Sequence, residues 1–174
     1  IPTKLTELEL FRTKKLTFLH GIPASKIAEV VAENIANFKN RPPQNILDRK
    51  PELVTQYYEF NVTKPPFDDI RVRKAFNYAI NRDKILENAL NGQGHVGNKG
   101  ITPKLNRFRQ YNFDSIKGYK FDPTLARALL ADAGYPKGKG FPNVRLELNL
   151  GGNTHKLVAE EIQQQLYNTL NINI

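Results

Sequence analysis

Cysteine is absent from the 174 residues. That excludes disulfides, thiolate metal sites and a cysteine nucleophile, and it is compatible with an oxidising compartment. Long apolar runs are also missing, since none approaches the ~20 residues that carry a helix across a bilayer. Neither G-x-S-x-G nor H-E-x-x-H occurs, which removes two common hydrolase signatures. His20, His95 and His155 lie far apart without ligand spacing, so no metal or other cofactor is expected. Acidic residues are few beside basic ones, 17 Asp and Glu against 26 Lys and Arg, for a net charge of +9. Such a balance suits an anionic partner. The cations are scattered, however, with no basic run or recognition motif, so nucleic acid is not an expected partner.

The central stretch, Tyr57 to Leu90, organises what is present. Thr55 to Asn61 is rich in aromatic and β-branched residues and reads as a strand. Pro65-Pro66 stops it, because proline lacks the N–H that a ladder needs. Asp68 or Asp69 caps a helix whose Val72, Ala75, Phe76, Ala79 and Ile80 share one face, with Arg71, Arg73, Lys74 and Asn77 toward water. Asn81 reads as a second cap, followed by an apolar stripe of Ile85, Leu86, Ala89 and Leu90 that ends at Gly92.

Tyr-Tyr-Glu-Phe-Asn from Tyr57, followed by Lys64-Pro-Pro-Phe-Asp-Asp-Ile-Arg-Val-Arg-Lys-Ala-Phe-Asn-Tyr-Ala-Ile-Asn-Arg-Asp83, resembles the signature of the extracytoplasmic solute-binding proteins of ABC importers, in their peptide and oligopeptide class (family 5). Phe121-Asp-Pro-Thr-Leu-Ala-Arg-Ala-Leu-Leu-Ala-Asp-Ala-Gly-Tyr-Pro136 is similar to a second pattern of that family. The resemblance implies an α/β fold: a fragment of the two-lobe periplasmic-binding-protein type, with a mixed sheet and flanking helices. Members are longer, and this chain starts at Ile1 without Met or signal region, so it reads as a middle fragment. Residues 1–58 are expected to be a piece of the first lobe and 59–174 a piece of the second. The implied function is capture of a solute, expected to be a peptide, between hinged lobes for a membrane permease. The protein would be a non-enzymatic monomer, periplasmic or otherwise extracytoplasmic, with a lipid anchor possible in the full-length form. An alternative from another class is a basic nucleic-acid-binding or enzymatic α/β domain.

Elsewhere, Leu5 to Phe11 reads as a short helix and Thr17 to Leu19 as a short strand. Ser25 is expected to cap a helix with Ile27, Val30, Val31 and Ile35 inward, closed by Arg41-Pro42-Pro43. Gln93 to Lys120 is long, irregular and glycine-rich. Its Gly92-Gln-Gly-His-Val-Gly97 matches a dinucleotide fingerprint in letters only, because it follows a helix and leads into Pro103. Asp122 with Pro123 starts a helix whose apolar face is read as Leu125, Ala128, Leu129 and Leu130, stopped by Gly134 with Tyr135 packing back. Val144, Leu146, Leu148 and Leu150 alternate with polar residues like a half-buried strand. A turn at Gly151-Gly152, a helix with Val158, Ile162, Leu166 and Leu170 inward, and a strand from Ile172 would complete a right-handed parallel crossover.

Alternation sends Tyr57 and Glu59 to one face and Tyr58 and Phe60 to the other. Packing within a sheet would explain either pair. The resemblance places this crossing beside the interlobe cleft, where the Tyr57 ring or the Glu59 carboxylate would meet peptide backbone or a terminal amine. The loop from Gly94 to Pro103 adds His95 and Asn98 as further ligand-binding candidates. Asp68-Asp69 has the composition of an acid/base pair, but helix capping accounts for it. No catalytic residue is expected.

Overall fold

A computed structural model describes residues 3–40, 45–48, 52–104, 111–149 and 153–174. The Arg41-Pro42-Pro43 break, Leu150 and the Gly151-Gly152 turn lie outside them. Six α-helices are described: α1 (Lys4–Arg12), α2 (Ile27–Asn40), α3 (Ile70–Ala79), α4 (Arg82–Lys84), α5 (Pro123–Asp132) and α6 (Asn153–Leu170). A π-helical turn, Ile85–Ala89, continues α4.

The core lies where α3, α5 and α6 meet. The Asp69 carboxylate accepts from the Arg71 N–H at 2.7 Å, so the chain enters α3 with Val72, Ala75, Phe76 and Ala79 buried. The Asp122 carboxylate caps α5 by accepting from the Leu125 N–H at 2.9 Å, while its own N–H donates to the Tyr78 carbonyl at 2.9 Å and ties the start of α5 to the end of α3. α5 buries Ala126 and Leu130, with Leu129 and Ala133 on the flank; Leu125 and Ala128 are exposed. The expected face was therefore rotated. Apolar residues nearly surround this helix, and the small Ala126 is what admits close approach to α3.

From α6, Val158, Leu166 and Leu170 are buried and Ile162 packs against the core, as the spacing predicts. Rings fill the remaining space: Phe76 lies 5.3 Å from Phe67, 5.7 Å from Phe141 and 5.9 Å from Phe60, centroid to centroid. Gly134, at φ 98°, stops α5, and Tyr135 packs back on the core against Phe141.

Corners between helices are held by polar groups. The Asn81 side chain caps α4 by accepting from the Lys84 N–H. Buried Gln165 on α6 clasps the same corner, its Oε1 accepting from the Asn81 N–H at 2.6 Å and its Nε2 donating to the Asn81 carbonyl at 3.2 Å. Arg82 reaches back to Asn77, donating to its side-chain oxygen at 2.9 Å and its carbonyl at 3.2 Å; burial lowers the affinity of this guanidinium for its proton. Arg73 is half-buried rather than solvated, donating to the carbonyls of Phe67 (2.6 Å) and Asp68 (2.9 Å).

α1 and α2 form a smaller unit. Arg12 bridges them by donating to Glu29 at 2.6 Å and Glu33 at 2.9 Å, which raises its own pKa; Lys26 and then Arg12 hold the Glu29 carboxyl below its ordinary range. Ser25 makes no cap, because it lies within a 3₁₀ turn, Ala24–Lys26, that precedes α2. Val31 and Ile35, expected inward, are 37% and 53% exposed.

No strand is found among the described residues, neither at 17–19 and 55–61 nor at 144–149 and 172–174. The parallel crossover and the mixed sheet are accordingly not seen there. A ladder needs a second strand alongside. The C-terminal segment instead turns at Asn171 (φ 58°) and buries Ile172 against the helices. Alternation holds over 144–147 without pairing, with Val144 and Leu146 half-buried and Arg145 and Glu147 exposed, but it fails at Leu148, expected inward and 40% exposed.

Candidate functional site

Residues 52–61 run between the α1–α2 unit and the core helices, and the side chains along them are fixed alternately. Phe60 packs into the aromatic cluster and Tyr58 is half-buried, while Tyr57 is 53% exposed and Glu59 is exposed. Thr55 donates its hydroxyl to the Ile101 carbonyl at 2.7 Å, and the Gln56 amide meets the His155 Nδ1 of α6 at 2.8 Å. The alternation expected of residues 57–60 is therefore present, and it arises from anchoring at both ends rather than from a ladder. Burial pushes the Tyr58 hydroxyl up, opposed by a smaller pull from the Gln56 amide, which does not reach hydrogen-bonding geometry with it.

The loop from Gln93 carries the other two candidates. His95 is exposed. Asn98 is half-buried, and its backbone carbonyl accepts from the Tyr119 N–H at 3.0 Å. Gly118 lies so close to that carbonyl that a Cβ would strike it. Lys99 stands 5.3 Å over the Phe113 ring and donates to the Asp114 carbonyl, Lys104 pairs with the Asp114 carboxylate at 2.9 Å, and the Tyr111 hydroxyl donates to the Thr102 carbonyl at 2.9 Å. Lys104 keeps the Asp114 carboxyl below its ordinary range. The glycines of the fingerprint-like run serve turns, with φ 74° at Gly92 and 100° at Gly94, and no helix follows them.

Of the four sequence candidates, Tyr57 and Glu59 share an open face, and His95 and Asn98 lie in the loop that Thr55 joins to their segment. No hydrogen bond or ion pair joins the four side chains among the described residues. Sequence reasoning passed over Thr55, Gln56 and His155, whose contacts span 46 and 99 residues and leave no local signal. Asp69 is a cap paired with Arg71 at 2.6 Å, with nothing that marks it as an acid or base in chemistry. Among the described residues no group of three or more His, Asp or Glu is placed to hold a metal, and no helix is long and apolar enough to cross a membrane.

A concavity of about 490 Å³, open to solvent, lies away from these four candidates, between α2 and the π turn, with Ile27, Val31 and Leu86 as its apolar walls and Asp83 and Glu87 among its lining. The α1–α2 unit meets the core side here: the Asn91 amide donates to the Ala24 carbonyl at 2.8 Å and Gln93 to that of Ile22 at 3.4 Å.

The whole chain, residues 1–174, matches the family described as bacterial extracellular solute-binding proteins, family 5 Middle. The chain belongs to this family. Among its relatives, a heme-binding protein A from Haemophilus influenzae is 38% identical over 105 residues, covering 60% of this chain and 18% of that protein. A dipeptide-binding protein from Escherichia coli is 37% identical over a stretch of the same length, 19% of that protein. The glutathione-binding protein GsiB of Escherichia coli O157:H7 is 34% identical over 161 residues, 92% of this chain and 28% of that one. Among solved structures, a periplasmic oligopeptide-binding protein from Borrelia burgdorferi superposes with a TM-score of 0.72 at 24% identity, over 99% of this chain and 31% of that chain. OppA from Burkholderia pseudomallei does so at 0.65 and 21%. These likenesses establish the fold of this family 5 chain, which spans less than a third of its relatives' length.

Proposed function

We propose that this chain is the middle part of the substrate-binding component of an ABC importer, which captures a peptide between two hinged lobes and presents it to a membrane permease. Family membership gives the class. The observation that carries the site is the open side of residues 55–60, where Tyr57 and Glu59 project from a segment held by Thr55, Gln56 and Phe60. An exposed ring offers a stacking face to a peptide backbone, and a carboxylate with no cationic partner among the described residues offers a counter-charge to an amine. His95 and Asn98 belong to the facing loop, with Asn98 acting through its carbonyl in holding that loop.

In this reading residues 1–58 belong to the first lobe and 59–174 to the second, and the solute-binding protein acts outside the cytoplasm as a monomer that breaks no bond. Strands contributed by the rest of the protein would complete a mixed sheet with residues 144–149. Names among the relatives point to small peptides, since dipeptide and glutathione appear there. Thermal unfolding of the full-length protein with a panel of di- to pentapeptides and sugars tests the proposal. Ligand at a hundred times its dissociation constant stabilises by about 2.7 kcal/mol, a shift of several degrees. Stabilisation by sugars alone, or by no member of the panel, would contradict it.

A further inference from the structure

We infer that Thr55 is a positioning residue that latches the loop 93–104 to the crossing segment, so that the two walls of the proposed site are set by one hydroxyl. The inference rests on the reading of Tyr57 and Glu59 as site residues, although the latch itself does not. Three observations lead to it. First, the Thr55 hydroxyl donates to the Ile101 carbonyl at 2.7 Å, a short bond across 46 residues that joins two segments lacking any ladder between them among the described residues. Second, the far side of the loop is knit into one body. Lys99 and Lys104 converge on Asp114, Tyr111 reaches Thr102, and Tyr119 holds Asn98, so a restraint at residue 101 is passed to the whole loop rather than to one peptide. Third, glycine gives the loop backbone freedom beyond its start: Gly94 has positive φ with open space where a Cβ would be, and Gly97 likewise has open space there.

Losing the Thr55 bond would free the braced loop to swing away from residues 55–59 about Gly94 and Gly97. Thr55 also stands next to Gln56, whose amide is engaged by His155 from the other side. The crossing is thus gripped from both flanks by consecutive residues just ahead of Tyr57. Thr55→Val keeps the branched shape and removes the donor; Thr55→Ser keeps the donor and removes the methyl. A single net hydrogen bond of this kind changes an opening equilibrium about three- to tenfold.

Hydrogen exchange in the full-length protein provides the test, with calorimetric titration of trialanine as the probe of the site. The latch predicts that Thr55→Val accelerates exchange of amides 95–102 about three- to tenfold while those of 72–79 in α3 are unchanged, that Thr55→Ser restores wild-type exchange, and that trialanine binds Thr55→Val several-fold more weakly than wild type or Thr55→Ser. Unchanged exchange at 95–102 in Thr55→Val would overturn the latch, and so would equal behaviour of the Val and Ser variants, including an equal loss of α3 protection. Faster loop exchange with undiminished trialanine affinity would overturn its role in positioning the site. Absence of trialanine binding by the wild type would count against the peptide reading, and the exchange comparison would still decide the latch.

Discussion

Phe76 is the residue on which the core turns. It is 7% exposed, touches three other rings and sits mid-stripe on α3. Phe76→Ala removes both the transfer free energy and the ring contacts, and should cost about 3–5 kcal/mol in chemical denaturation. Arg73 is three positions away and, by periodicity, belongs to the wet face. Its guanidinium instead covers two carbonyls of the turn that leads into α3. Arg73→Ala should therefore cost about 1–2 kcal/mol rather than the few tenths of a surface change, and a denaturation midpoint equal to wild type would refute that role. Asp69 gives a prediction in pH. The side chain and then the N–H of Arg71 hold its carboxyl below the ordinary aspartate range. A depressed folded pKa means that the unfolded chain binds the proton more readily, so the contribution is present above the ordinary aspartate pKa and is lost as pH falls through the depressed one. Asp69→Ala should cost about 1 kcal/mol at pH 7. The gap to wild type should close progressively on acidification, and a gap independent of pH would show that the charge is irrelevant.

At the level of elements, Gln165 decides how α6 meets the α3–α4 corner. Its buried amide exchanges two hydrogen bonds with the backbone of Asn81 and is steadied by Glu161 at 2.8 Å. Gln165→Leu would leave the part-buried Asn81 N–H without its partner at roughly constant volume, while the Asn81 carbonyl keeps the Ile85 N–H at 3.3 Å, for a loss of about 1–3 kcal/mol; a neutral result would mean that water replaces the amide. Helix starts at Asp69, Asn81 and Asp122 and the stop at Gly134 were legible because capping is local chemistry. The faces of α3 and α6 were legible because their stripes are narrow. α5 was misread by about one position, since its apolar residues do not single out Ala126, whose value lies in being small. The expected strands were beyond reach for a different reason. Alternation records which side is buried, and residues 57–60 and 144–147 keep it, but pairing depends on a neighbour that a local pattern does not contain. The long-range ties of Thr55 and Gln56 were invisible on the same ground.

For the whole molecule, the proposed function has a peptide lie between two lobes of which this chain would supply only part. Enclosure from both sides is what makes such a site strong, since it buries about 70–90% of a small ligand. One wall forfeits much of that burial, while the translational and rotational cost of association, about 4–15 kcal/mol, stays nearly the same. A ligand held at micromolar concentration has only about 8 kcal/mol of net binding free energy to lose. The most direct measurement is a calorimetric titration, run in parallel on the full-length protein and on the 174-residue chain, with the peptide that stabilises the full-length protein most. The account predicts a micromolar or tighter dissociation constant for the full-length protein and a millimolar or weaker one for the chain alone. Micromolar binding by the chain alone would place the site wholly within residues 1–174 and contradict its division between two lobes.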